Sequence, residues 1–235
     1  MLILTNLPLF SLLELKGLDL LFLLRGSLPP PPEIVIVAVD EPSFAEISRQ
    51  WPWPRSLHAR LIDQLKRAGA RVIGFDILFA EPSQPEEDRA LARAIRKAGN
   101  VVLASERAVI TDPLFRQTIQ VDPIEPFKVT ASVGVATLPI DHDGTVRRPL
   151  PISRDLPSFS SQLVRLYLGQ GQHGIRTDPS TAILINHFGP PRTIKTVSYY
   201  QALEADRMLP PGTFTDKIVL VGRALCNTFN WQVGT

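Results

Sequence analysis

The sequence predicts an α/β domain: a mainly parallel sheet flanked by helices, with an antiparallel hairpin insertion and a leucine-rich helix at the N-terminus. Three observations lead there. Ile34-Val-Ile-Val-Ala-Val39 and Val72-Ile-Gly-Phe75 are short apolar runs, and each ends in an aspartate, Asp40 and Asp76. Between them, Leu57, Leu61, Ile62, Leu65 and Ala68 share one face of a helix running from Pro54 to Ala68, which Gly69 stops. Strand, helix and strand of these lengths make a right-handed crossover, so both strands are parallel and buried. Both aspartates then arrive at the edge where open α/β sheets bind ligands.

Residues 1–24 are the most apolar segment, but Pro8, Glu14, Lys16 and Asp19 interrupt it, so it is too broken for the roughly 20 apolar residues of a membrane span. It also lacks the basic start and small-residue cleavage site of a secretory signal. Leu9, Leu12, Leu13, Leu20, Leu21 and Leu24 suit a helix lying on a core, a partner or a membrane surface. Pro29 to Pro32 form a stiff spacer. After the crossover, Pro85 to Ala98 is a helix whose acids (Glu86, Glu87, Asp88) precede its bases (Arg96, Lys97), in keeping with its dipole, and Val101-Val-Leu103 is the third strand. Ala104 to Phe127 is broken by Pro113, Pro123 and Pro126 and reads as a long loop with one short turn of helix. Ser132 to Leu138 and Val146 to Ile152 are expected to pair as an antiparallel hairpin around the turn Asp141-His-Asp-Gly144. Ser158 to Leu168 is a helix capped by Ser158, Thr181 to Asn186 a strand, Ser198 to Ala205 a helix, and Lys217 to Val221 the last strand. The implied division is a juxtamembrane-like helix over 1–28, a domain over 29–222 and an unassigned tail over 223–235.

Composition excludes several classes. A formal charge of +2, with no basic stripe interleaved with aromatics, argues against nucleic acid as a partner. The single Cys226 cannot form an internal disulfide. His58, His142, His173 and His187 lack zinc-ligand spacing, so no structural zinc site is expected, and whether any other metal binds is left open. No glycine-rich phosphate loop succeeds the first strand, so no cofactor is expected, and no G-x-S-x-G elbow marks a serine nucleophile.

Four features carry chemistry. Asp40 and Asp76, placed at neighbouring strand ends, could hold a cation, bind a cationic ligand, pair with an arginine, or cap nearby backbone. Trp51-Pro-Trp-Pro-Arg55 is a rigid aromatic elbow, either a packed corner or a ligand-lining one. Arg55 lies at a helix start, where its charge opposes the dipole; its expected partner is Asp76, with Asp40 and Asp88 as alternatives. Asp141-His-Asp-Gly-Thr145 spells the D-x-D-G-T of haloacid-dehalogenase-like phosphatases, in which Asp141 would be the nucleophile and Asp143 the acid/base. Those enzymes place the motif at the end of a buried parallel strand, whereas here Pro139 precedes it and Arg147-Arg-Pro149 comes directly after.

Taken together, several stretches resemble a known family. They are Leu13-Glu14, Asp19, Arg25, the run ending in Asp40, Trp51-Pro-Trp-Pro-Arg55 with His58-Ala59, Gly74-Phe-Asp76 with Phe79, Asp88 with Leu91-Ala92, Asp141-x-Asp-Gly144 with Arg147, and Ile218-Val-Leu-Val-Gly222. The pattern, over about residues 10–222, is similar to the second type of CHASE domain, the cyclase/histidine-kinase-associated sensory extracellular domain of bacteria. The resemblance implies a non-catalytic sensor at the cell membrane, on its extracytoplasmic side, feeding an adenylate or diguanylate cyclase, a histidine kinase or a Ser/Thr kinase. It implies a small-molecule or ionic signal, with Asp40, Arg55, Asp76, Asp88, Asp141, Asp143 and Arg147 as candidate ligand-binding residues. A homodimer through the N-terminal helix is the partner expected from the leucine pattern, and an interaction module with no small ligand is the alternative to sensing. Such domains lie between one membrane helix and usually three more; no complete membrane helix precedes Leu9 or comes after Gly222 here, and Arg223-Ala-Leu-Cys-Asn-Thr replaces the family's usual Asp- and Pro-containing loop. The chain therefore reads as a fragment, a product with a misplaced start, or a receptor lacking its output.

Overall fold

The computed structural model describes residues 8–111, 116–149, 157–169 and 184–223. Helix α1 (Pro8–Arg25) leads into β1 (Ile34–Val39), and α2 (Glu41–Ile47) begins where Asp40 caps its first turn. Then come α3 (Arg55–Arg67), β2 (Val72–Asp76), α4 (Pro85–Ala98) and β3 (Val101–Thr111). Next in the chain are β4 (Arg116–Val121), the turn α5 (Glu125–Lys128), β5 (Ser132–Val135), α6 (Phe159–Leu168) and β6 (Thr196–Ser198). Two short helices, α7 (Tyr199–Leu203) and α8 (Ala205–Met208), precede β7 (Ile218–Arg223).

Among the described residues seven strands form one sheet in the order β4-β3-β2-β7-β1-β6, with β5 paired to β3. Every pairing is parallel except β3 with β4. The fold class is therefore α/β as the sequence predicts, but three local expectations are corrected.

The antiparallel hairpin is β3–β4, in the stretch read as a loop. There Glu106 to Thr111 pairs with Arg116 to Val121, and the polar residues of both strands suit a ribbon extending beyond the buried sheet. Ser132 to Val135 does not pair with residues 146–149. It lies parallel to β3, and residues 146–149 are not strand; residues 150–152 lie outside the described segments. Residues 184–186 are likewise not strand, and 181–183 lie outside the described segments.

The third correction sets the geometry of the site. The last strand, β7, inserts between β1 and β2, pairing Val35 with Val219 on one side and Ile73 with Val219 on the other. Asp40 and Asp76 are thus two strand spacings apart, roughly 10 Å, rather than adjacent.

Side-chain alternation divides the core. Val35, Val37, Ile73, Phe75, Leu103, Val219 and Val221 meet α3 and α4 through Leu61, Ile62, Leu65, Leu91 and Ile95. Val72, Val102 and Ile218 face the other way, against Leu163 and Phe159 of α6. Two glycines allow that helix to approach. A Cβ on Gly74 would lie 2.7 Å from the Leu163 side chain, and one on Gly134 would lie 2.7 Å from the Phe159 backbone. Helix α1 stands apart: none of its described side chains is fully buried. Among the described residues no helix is long and apolar enough to cross a membrane.

Candidate functional site

Two polar clusters gather the residues singled out by the sequence, and each is built differently. The first lies at the carboxyl edge of the sheet. Asp40 ends β1 and accepts from Ser43 N (3.1 Å) and Ser43 Oγ (2.6 Å) with one oxygen, and from Ser198 Oγ (2.6 Å) with the other. Its carboxylate therefore joins β1, α2 and the start of α7, and both oxygens are occupied.

Arg55 does not pair with Asp76. It bonds to Asp88 at the start of α4 and to the Glu81 carbonyl, and its guanidinium lies over the rings of Phe127 (5.1 Å) and Phe79 (5.7 Å). Asp88 also accepts from Ser83 N (3.1 Å), and Glu87 receives the Ser56 hydroxyl at 3.0 Å. The acids of α4 thus offset an arginine that would otherwise oppose the dipole of α3. Asp76 is unavailable for a physical reason: Phe75 points toward α3 and α4, so the next side chain on β2 leaves on the α6 face. Among the described residues the Asp76 side chain has no hydrogen-bond partner, and burial pushes its carboxyl up to about 6.

The tryptophan elbow is a packed corner. Trp53 is buried, donates Nε1–H to the Arg49 carbonyl (3.2 Å) and meets Tyr199 at a tilt of 56° with ring centroids 4.9 Å apart, while Trp51 and Phe44 pack beside it. Beneath it, Tyr199 and His58 share a hydrogen bond of 2.8 Å through His58 Nδ1. Burial, with Arg55 nearby, lowers His58 to about 3, so its ring is neutral. Trp51 is only half-buried, with Arg223 over its ring at 5.8 Å.

The second cluster is a clasp on α1. Arg147 is buried, its side chain 2% exposed, and it bonds three carboxylates. Asp143 meets Nη1 and Nη2, each at 2.8 Å; Asp141 meets Nη1 at 3.1 Å; Asp19, from α1, meets Nη2 at 2.7 and 2.8 Å. Lys16, also from α1, reaches Asp143 (3.1 Å) and Asp19 (3.3 Å), and Arg148 reaches Asp141 (2.7 Å). Three acids and three bases balance. Hydrogen bonds from Arg147, then Lys16, hold the Asp143 carboxyl well below the usual carboxylate range against the opposing effect of desolvation. The D-x-D-G-T stretch is therefore a turn closed on itself, with Asp141 N bonded to the Thr145 carbonyl, not the end of a parallel strand. Beside the clasp a groove of about 750 Å³ opens between Leu15, Leu18 and Leu21 of α1 and Ile140, His142 and Leu184 of the body. Among the described residues no group of three or more His, Cys, Asp or Glu side chains could hold a metal ion.

The structure brings the candidates Asp141, Asp143 and Arg147 into one cluster and adds to it Asp19 and Lys16, which the sequence did not group with them, just as it adds Ser43 and Ser198 to Asp40. A carboxylate set among the leucines of α1 was the available signal for Asp19, because an acid on an apolar helix needs a partner.

No curated protein and no solved structure matches the chain. The CHASE2 domain family model does, over residues 1–228. That span includes the strand-end aspartates, the tryptophan elbow and the clasp, and the chain belongs to the CHASE2 domain family, a family of sensory, non-catalytic extracellular domains.

Proposed function

We propose that the chain is a non-catalytic, extracytoplasmic signal-sensing domain of a bacterial membrane receptor, in which the clasp couples the α/β body to α1. The observation that carries this reading is Arg147, whose guanidinium engages both acids of the D-x-D-G-T stretch together with Asp19 of the helix. Carboxylates held in that way serve as anchors, whereas a phosphatase needs one of them free to attack phosphorus and the other free to carry a proton. The groove supports the same reading, because an occupant would press on α1 and on the Ile140–His142 segment together. A cyclase or kinase would be the output.

Hydrogen exchange on the whole chain tests it, with amino acids, dicarboxylates, polyamines and divalent cations as probes. A probe that changes protection of residues 13–25 in the wild type, but not when Leu18→Trp fills the groove, is the expected result. Magnesium-dependent hydrolysis of para-nitrophenyl phosphate, lost in Asp141→Asn, would overturn the reading.

A further inference from the structure

We propose that the groove between α3 and α4 is a binding site for a phosphate-bearing anion. The two helices lie side by side on one face of the sheet and leave a groove of about 560 Å³ between their outer surfaces. Arg60 and Arg67 stand on its α3 rim, Arg93 and Lys97 on its α4 rim, and its floor is alanine: Ala59, Ala90 and Ala94. Residues seven apart on a helix are separated by roughly 10 Å along its axis, so the α3 bases run much of the length of the groove. The site is separate from the clasp, because none of its lining residues lies on α1 or in the Asp141 to Arg148 stretch.

The charge on these helices is lopsided. From Arg60 to Arg67 and from Arg89 to Lys97 they carry seven bases and one acid, Asp63, in a chain whose formal charge is only +2. The helix dipoles account for the bases of the last turns, Lys66 and Arg67 on α3 and Arg96 and Lys97 on α4. They do not account for Arg60 or Arg93. Arg89, Arg93 and Lys97 also succeed one another at steps of four, a spacing at which like charges weaken a helix. An anion in the groove would offset that repulsion.

The bases are only partly engaged by the protein. Arg60 pairs with Glu204, and Lys97 crosses the groove to Asp63 at 2.9 Å. Both pairs are exposed, and exposed pairs contribute little, so an incoming anion can displace them. Among the described residues Arg67 meets only neutral acceptors, the Gln64 side chain and the Asp63 carbonyl, and Arg93 meets no carboxylate. Those two guanidinium forks, one on each rim, present the parallel N–H groups that suit phosphate oxygens.

Phosphate suits the groove better than a carboxylate or a nucleobase. Four bases face one acid across it, and a terminal phosphate brings close to two negative charges where a carboxylate brings one. No aromatic side chain lines the groove, so a base would find nothing to stack on. The phosphate comes either from a free polyphosphate or from a lipid headgroup, and the two sources separate by experiment.

Titration calorimetry of the full chain with tripolyphosphate at low ionic strength tests the site, alongside co-sedimentation with vesicles of phosphatidylethanolamine and phosphatidic acid. The wild type is expected to bind, with an affinity that falls as salt is raised. Arg67→Gln combined with Arg93→Gln should weaken binding about tenfold or more, without lowering the Tm measured in the absence of anion. Asp63→Asn removes the one carboxylate of the groove and should tighten binding, whereas Arg107→Gln on β3 should leave it unchanged. Binding of tripolyphosphate alone identifies a free phosphate as the source; pelleting with vesicles that the double variant loses identifies a headgroup. Binding of neither probe overturns the proposal, and so does binding that survives the double variant.

Discussion

Arg147 grips Asp19 with three hydrogen bonds: Nη2 donates to Oδ1 at 2.7 Å and to Oδ2 at 2.8 Å, and Nε donates to Oδ1 at 3.1 Å. The two residues are 128 positions apart, and the contact joins a largely exposed helix to the body through charge rather than through apolar burial. Among the described residues α1 is also tied to the body by Lys16 to Asp143 at 3.1 Å, by Arg25 to Asn186 and to the His187 carbonyl, and by the edge of Phe22 against His187 at 5.6 Å.

Arg147→Lys should therefore loosen α1 while leaving the sheet intact. A lysine is a single compact charge and cannot present the planar fork that meets three carboxylates at once. The amides of residues 13–25 should exchange about tenfold faster or more, equivalent to roughly 1.4 kcal/mol, with little change in the strands. Exchange in α1 equal to that of the wild type would show that the apolar contacts hold it.

A double-mutant cycle at Arg55 separates the observed partner from the expected one. Arg55 and Asp88 are nearly buried, with side chains 10% and 15% exposed, so Arg55→Ala leaves an acid without its cation, at a cost on the order of 3–5 kcal/mol. Arg55→Lys should be almost as damaging, because it loses the second bond to the Glu81 carbonyl. Coupling between Arg55 and Asp88 should fall at about 1–3 kcal/mol, and coupling between Arg55 and Asp76 within about 0.5 kcal/mol of zero. Chemical denaturation of the single and double variants measures both, and a larger coupling to Asp76 would contradict the geometry.

That pairing also shows where sequence reading stops. The strands Ile34 to Val39 and Val72 to Asp76, the helices on Leu61 and Leu91, and the capped helix after Ser158 were legible because hydrophobic period and capping residues are local signals. The insertion of Ile218 to Arg223 between β1 and β2 was not, since strand order in space leaves no local mark. Once that strand separates Asp40 from Asp76, the two acids no longer need Arg55 between them. The β3–β4 ribbon was hidden for a different reason. Glu106, Arg107, Gln117 and Gln120 supply no buried face, so nothing in their pattern distinguishes a ribbon from a loop. Asp141, Asp143 and Arg147 were legible as candidates, near one another in the sequence, but their partner Asp19 is reached only through the fold.

Between about pH 4 and pH 7 two groups shifted by burial, the half-buried Asp76 and the buried His58, act on stability in opposite directions. Asp76 is raised to about 6 by burial, so between about pH 4 and pH 6 the folded chain holds a proton that the unfolded chain has released. Stability on its account is greatest below about pH 4 and falls as pH rises through 6. His58 is lowered to about 3, so between about pH 3 and pH 6.5 it is the unfolded chain that holds the extra proton. Stability on its account is full above about pH 6.5 and is lost as pH falls. In the wild type the two slopes partly cancel between about pH 4 and pH 6, giving a shallow profile. Asp76→Asn removes one of them. The variant should be more stable than wild type at pH 7, by at most about 3 kcal/mol for a shift of this size. That gain should disappear by about pH 4, so the variant's own profile falls more steeply with acid. Urea denaturation of both proteins at several values between pH 4 and pH 7 reads the two slopes directly. If Asp76→Asn is less stable than wild type at pH 7, the ionised carboxylate has a favourable partner in the folded protein and is not merely a buried charge.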